Sequence, residues 1–137
     1  MKIALGICCD RGTQVATLAQ ALDEALARVG ASRGDVAMVA SIDLKADEPG
    51  LLALAADQGW HIRFEPAARL AEVPVPNPSE TVRRHTGTPS VSEAAALLAS
   101  GVSSSSGGEG GCLLVEKHRV RGSDGRHATV SLARMAP

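Results

Sequence analysis

The segment SIDLKADEPG, residues 41–50, carries three carboxylates and one ammonium group between two apolar runs. Asp43 or Glu48 could act as a general base or position a water molecule, and Lys45 could stabilise a developing oxyanion. The same residues also fit an ordinary helix start, in which Asp47 is the N-cap, Glu48 lies in the first turn and Pro49 occupies a tolerated position. The residues alone leave both interpretations open.

A second segment, GICCDRGT at residues 6–13, joins an apolar run to a helical pattern. In open α/β sheets, ligands bind at the carboxyl ends of strands, and the free amides at a helix start favour an anion. The segment matches neither a dinucleotide-binding glycine pattern nor a phosphate-binding loop. A glycine turn above packed cysteines explains it equally well. Arg11 could activate Cys9 as a nucleophile, although we expect buried, unreactive thiols.

The cysteines and histidines do not form a metal-binding motif. Cys8 and Cys9 are adjacent, so on a strand their side chains point to opposite faces of the sheet. The histidines are scattered and show neither zinc-ligand nor catalytic-triad spacing. We therefore predict no metal and no cofactor.

The segment GTPSVSEAAAL at 87–97 contains the start of the clearest helix in the chain. Ser90 and Glu93 have the spacing of a capping box, and Gly101 ends the alanine-rich run. Just before it, Asn77 is predicted to cap a short helix whose first residue is Pro78.

Length and composition restrict the class of protein. A chain of 137 residues with 45% hydrophobic and 21% charged residues fits a single globular domain over 1–137. A net charge of −1 and an aromatic content of 1% argue against nucleic-acid binding. Three cysteines without a signal sequence predict a cytoplasmic protein, and no apolar run is long enough for a membrane span.

Hydrophobic periodicity predicts alternating strands and helices in the first half of the chain and two strands near its end. The alternation implies parallel strands with helices on both faces, and the last two strands form an antiparallel hairpin. The fold class is therefore α/β: a three-layer α/β/α domain with a mixed, largely parallel sheet. The Ser/Gly-rich segment 102–111 is predicted to be a flexible loop. The predicted strands are 2–7, 36–42, 60–64, 112–117 and 128–135, and the main helices are 15–29, 48–58 and 90–100.

These segments, in this order and spacing, resemble the cobalamin-biosynthesis family whose domain occurs alone in CobE proteins and at the C-terminus of CbiG proteins. ASIDLKADEPGL and GTPSVSEAAAL are the most specific matches, and GICCDRGT, NPS, LLVEK and ATVSLAR extend the resemblance over nearly the whole chain. Two residues depart from the family pattern. Cys8 stands where the family has a second glycine, and Asp10 stands where it has a basic residue.

The resemblance implies binding of a precorrin or corrinoid intermediate such as hydrogenobyrinic acid, and its transfer between enzymes of the pathway. Two alternatives stay open: a hydrolase that opens a precorrin lactone as CbiG proteins do, with Asp43, Lys45 and Glu48 as catalytic candidates, and a phosphate- or anion-binding α/β protein. The resemblance and the loop positions together give the expected ligand-binding residues: Gly6, Cys9, Arg11, Gly12, Asp43, Lys45, Glu48, Gly87, Ser90, Val91, Glu93 and Lys117.

Overall fold

The structure is a computed structural model that describes residues 1–101 and 112–135. The Ser/Gly-rich segment predicted to be flexible lies outside the described residues. Within those two ranges, no helix is both long enough and apolar enough to cross a membrane.

Five strands form one mixed sheet in the order β3-β2-β1-β5-β4. The pairings β1–β2 and β2–β3 are parallel, and β1–β5 and β5–β4 are antiparallel. Four of the five strands therefore point in the same direction, and only β5 runs against them. This confirms the predicted mixed sheet and its C-terminal antiparallel pair. The strands are β1 (Ile3–Cys9), β2 (Val36–Ile42), β3 (Ile62–Glu65), β4 (Leu113–Arg121) and β5 (His127–Arg134).

Helices cover both faces of the sheet because the side chains of each strand alternate between two cores. From β1, Ile3, Leu5 and Ile7 join one core with the apolar sides of α1 and α2, whereas Ala4 joins a second core with α5. The predicted three-layer α/β/α arrangement is thus confirmed. The helices are α1 (Val15–Arg28), α2 (Pro49–Gln58), α3 (Ala67–Ala71), α4 (Glu80–Thr86) and α5 (Val91–Ser100).

Three predicted helix starts differ in detail. The N-cap of α2 is Glu48 rather than Asp47, and that of α4 is Ser79 rather than Asn77. The capping box at Ser90 does not form, because the Ser90 hydroxyl donates to the carboxylate of Glu93 instead of accepting from the backbone. Asp47 and Asn77 are engaged by tertiary partners instead of capping, whereas Ser90 bonds locally to Glu93, three residues away.

Candidate functional site

The loops that follow β1 and β2 meet at the carboxyl end of these strands. The guanidinium of Arg11 lies 2.7 Å from a carboxylate oxygen of Asp47 and 3.5 Å from one of Glu48, and it also donates to the carbonyl of Leu44. The backbone N–H of Gly12 donates to the other Glu48 oxygen at 3.1 Å. Arg11 and Glu48 therefore hold the two loops together.

These contacts change the interpretation of two predicted site residues, Glu48 and Arg11. Glu48 is only 1% exposed and holds a neighbouring loop, so its position suits a structural role better than that of a base facing solvent. The hydrogen bond from Arg11 lowers the pKa of Asp47, and Asp47 in turn raises that of Arg11. Two of the five N–H donors of the Arg11 guanidinium are already used within the protein.

Lys45 is the predicted site residue that is left available. It ends a short 3-10 turn, Asp43–Lys45, and its side chain is half-buried. Within the described part of the chain it makes no ion pair or hydrogen bond. Burial raises the pKa of the Cys8 thiol, and the charge of Lys45 is the largest influence that opposes this rise. Asp43, at the start of the same turn, is exposed.

Cys9 faces the core and is 6% exposed. Burial, the adjacent Cys8 and the charge of Glu48 raise the pKa of the Cys9 thiol to about 12. A thiol in this state is protonated at neutral pH and is a poor nucleophile. The geometry therefore favours the packing interpretation of Cys9 over the nucleophilic one.

Gly6 lies beneath α5 rather than at the rim of the sheet. A methyl group at this position would be 2.6 Å from the backbone nitrogen of Ala96 and closer still to the carbonyl oxygen of Ser92. Only glycine lets the helix approach the strand this closely. Its role is helix packing, and direct contact with a ligand is blocked by the helix.

The predicted residues at the start of α5 are used internally. The buried carboxylate of Glu93 accepts hydrogen bonds from the Ser90 hydroxyl at 2.9 Å, from the Asn77 side-chain amide at 2.7 Å and from the Asn77 backbone N–H at 3.2 Å. Lys117 donates to the carbonyl of Asn77 at 3.1 Å. Val91, the first residue of α5, packs into the second core. Gly87 ends α4 in the left-handed conformation, with φ of +83°.

Buried carboxylates thus accompany two of the three helix starts at which an anion was expected. Glu48 is the N-cap of α2, and Glu93 lies in the first turn of α5. A carboxylate at a helix N-terminus already offsets the positive end of the helix dipole. An anionic ligand at this end of the sheet would therefore depend on cationic side chains more than on helix amides.

Three residues that the sequence analysis did not place at this site contribute to its structure. Asn77 was interpreted only as a helix cap. Arg126, in the β4–β5 hairpin, donates from Nε to the carbonyl of Arg11 at 2.8 Å. The backbone N–H of His127 donates to the carboxylate of Asp10 at 2.8 Å. No local pattern signals the contacts of Arg126 and His127, because they join segments more than a hundred residues apart in the chain.

The described residues contain no group of three or more His, Cys, Asp or Glu side chains that could hold a metal ion.

Comparisons with known proteins agree with this architecture. The family described as "Cobalamin synthesis G C-terminus" matches residues 3–133. "Protein CobE" of Sinorhizobium is 40% identical over 101 residues, which cover 72% of this chain and 66% of that protein. "Cobalt-precorrin-5A hydrolase" of Priestia megaterium is 37% identical over 99 residues, 72% of this chain but only 26% of the hydrolase.

Two solved structures share the fold. The crystal structure of CobE, described as a protein from the cobalamin (vitamin B12) biosynthetic pathway, has a TM-score of 0.78 and 34% identity. It aligns over 98% of this chain and 91% of its own. The cobalamin biosynthesis protein chiG of Agrobacterium tumefaciens has a TM-score of 0.65 and 28% identity over 98% of this chain and 99% of its own. The family match spans nearly the whole sheet and its helices, and the chain therefore belongs to the CobE/CbiG C-terminal family of cobalamin-biosynthesis proteins.

Proposed function

We propose that this protein binds a precorrin or corrinoid intermediate at the carboxyl end of β1 and β2 and passes it to other enzymes of the pathway. The observation that supports this most directly is the half-buried Lys45 side chain, whose ammonium has no ion pair within the described residues. A ligand carboxylate would supply the missing partner through a charge-assisted hydrogen bond. Corrin precursors carry several acetate and propionate arms and supply such carboxylates.

The position of Lys45 adds to this argument. The loops that follow β1 and β2, the second of which carries Lys45, lie side by side at the carboxyl end of these two parallel strands. In open α/β sheets, ligands usually bind outside the carboxyl ends of the strands. With only Trp60 and Phe64 as aromatic residues, a macrocycle would rest on aliphatic and polar side chains, which suits transient binding and release.

Titration with hydrogenobyrinic acid, followed through its absorption spectrum, tests the proposal. We expect a saturable spectral change, and Lys45→Met should weaken the affinity about tenfold, the effect of losing one partly desolvated charge pair. Lys2→Met is the matched control, because Lys2 is exposed at the opposite end of β1. The absence of a spectral change with the wild type at high micromolar protein would contradict the proposal.

The second candidate is a lactone hydrolase, and one observation favours it: Asp43 and Lys45 lie in one short turn, where a general base and an oxyanion-stabilising cation could act on the same group. The relative from Priestia megaterium carries a hydrolase name, but this chain spans 26% of its length. Asp43→Asn should abolish turnover of a precorrin lactone on this hypothesis. Unchanged turnover in that variant, or no turnover in the wild type, would exclude it.

A further inference from the structure

A row of polar side chains crosses the sheet beside Lys45 and continues to its far edge. Thr129 of β5 pairs with Cys8 of β1 on one side and with Arg119 of β4 on the other. One step nearer the rim, His127 pairs with Arg121. Residues that pair directly across neighbouring strands share a face of the sheet. These five side chains therefore lie on the same face, opposite to the buried Val120 and Ala128 of the first core.

This part of the face is not covered by α5. The helix begins at Val91 and crosses the sheet over Gly6, and the hydroxyl of Ser92 accepts a hydrogen bond from Ser131. Beyond it, toward the carboxyl end, Cys8, Thr129 and His127 are only half-buried. We call these three residues the shelf.

Cations stand at both ends of the shelf. Lys45 lies just after β2, the neighbour of β1, on one side, and Arg119 and Arg121 lie on β4, the neighbour of β5, on the other. Arg119 and Arg121 are exposed and form no ion pair or hydrogen bond with the rest of the described chain. The carboxylate of Asp10 also lies here, but it is held by the backbone and ring of His127. Within the described residues, three unpaired cations, Lys45, Arg119 and Arg121, thus stand against two carboxylates, the occupied Asp10 and the exposed Asp43.

The distance between these charges determines how large a ligand must be to contact all of them. Three interstrand spacings separate β2, which ends just before the turn of Lys45, from β4, so the strands that carry Lys45 and the two arginines are roughly 14 Å apart. A small anion can neutralise one end only. A rigid, flat molecule with carboxylates on opposite edges can reach both ends while its centre lies on the shelf.

We propose that Arg119 and Arg121 form a second carboxylate-binding subsite, which together with Lys45 holds a rigid polycarboxylate across the shelf. This inference rests on the proposed function and extends the ligand site from the β1 and β2 loops to the opposite edge of the sheet. The two arginines lie outside the segments that carry the family resemblance, which end at Lys117 and resume at Ala128.

The test compares four proteins in the hydrogenobyrinic acid titration: the wild type, Lys45→Met, the double variant Arg119→Gln/Arg121→Gln, and Arg134→Gln. Arg134 is the matched control because it is an exposed arginine at the other end of β5. We expect the double variant to bind roughly 3- to 20-fold more weakly, the combined effect of two solvent-screened charge pairs. The control should bind as the wild type does.

Two further measurements distinguish a charge effect from a folding defect. The charge-preserving variant Arg119→Lys/Arg121→Lys should recover most of the affinity. Added salt should weaken binding to the wild type more steeply than binding to the Gln double variant, because fewer charge pairs remain in the latter. A corrinoid with amidated side chains should bind the wild type and the double variant equally.

The outcomes separate this inference from the proposed function. Weaker binding by the double variant with recovery in the Lys pair supports the second subsite. Wild-type affinity in the Gln double variant, with weakened binding in Lys45→Met, overturns the second subsite and leaves the proposed function standing. No spectral change with the wild type overturns both.

Discussion

The buried carboxylate of Glu48 accepts a hydrogen bond from the backbone N–H of Gly12 at 3.1 Å. The two residues are 36 positions apart in the chain, and the bond joins the loop after β1 to the start of α2. The guanidinium of Arg11 approaches the same carboxylate at 3.5 Å. The position of the β2–α2 turn, and with it Lys45, therefore depends on one buried acidic side chain.

Replacing Glu48 should lower stability, and the loss should be larger when both the acceptor and the charge are removed. Glu48→Ala removes the acceptor for Gly12 and the charge beside Arg11, and it should reduce the free energy of unfolding by about 2–3 kcal/mol. Glu48→Gln keeps an acceptor oxygen and should cost roughly 1 kcal/mol. Urea unfolding monitored by circular dichroism measures both. Wild-type stability in both variants would contradict the structural role, and loss of lactone turnover in such variants would favour a catalytic one.

Gly6→Ala should be among the most destabilising single-methyl changes in this protein. The added carbon would overlap the backbone of α5 at Ser92 and Ala96, so the helix must move away from β1. Overpacking of this kind costs about 1–3 kcal/mol, and here we expect the upper part of that range because backbone atoms cannot rotate aside. The comparison is Gly34→Ala, where the nearest atom is 3.7 Å from the new methyl group. Equal thermal midpoints for the two variants would refute the packing argument.

The fold could be predicted from the sequence because its signals are local and repeated. Helical periodicity predicts α1 (Val15–Arg28), and an apolar run predicts β2 (Val36–Ile42). The alternation of strands and helices along the chain then predicts the parallel part of the sheet. Most boundaries shifted by one or two residues, but β4 continues to Arg121, four residues past its predicted end, because its charged last residues obscure the strand pattern. The short helix Ala67–Ala71 was missed, since five residues are too few for a periodic signal.

The candidate site was harder to predict, for a physical reason. Asp, Glu, Arg and Ser side chains can join two loops, cap a helix or contact a ligand, and their spacing in the sequence does not distinguish these uses. Glu93 fits a capping box in the sequence, yet in the structure it binds Asn77, 16 residues away. Arg119 and Arg121 carry no motif, and only the pairing of β4 with β5 brings them to the same face as Cys8.

Asp10 should make stability depend on pH in the acidic range. Its slight burial would raise its pKa, but hydrogen bonds from the backbone and ring of His127, and the charges of His127 and Arg119, outweigh this and lower it. A carboxyl group with a lowered pKa in the folded state stabilises the protein above its unfolded pKa of about 4, and this stabilisation is lost as the pH falls through the folded value.

Asp10→Asn should therefore lower the free energy of unfolding at pH 7 by about 0.5–1 kcal/mol, a small value because solvent screens this half-exposed group. The difference from the wild type should shrink as the pH falls below about 4. Thermal melts from pH 3 to pH 7 measure it, with the exposed Asp43→Asn as control. A difference that stays constant over this range would mean that the charge of Asp10 is not responsible.

Asn77 should be essential for holding the segment before α4 against α5 and β4. Its side-chain amide donates to Glu93 at 2.7 Å and to Glu116 at 3.0 Å, and its backbone N–H donates to Glu93. Asn77→Ala leaves the wholly buried Glu93 carboxylate with fewer donors, and an under-satisfied buried charge costs about 2–3 kcal/mol. The double variant Asn77→Ala/Glu93→Gln removes that charge and should be more stable than Asn77→Ala alone. Urea unfolding of wild type, both single variants and the double variant measures the coupling, and strictly additive losses would show that Asn77 does not act through Glu93.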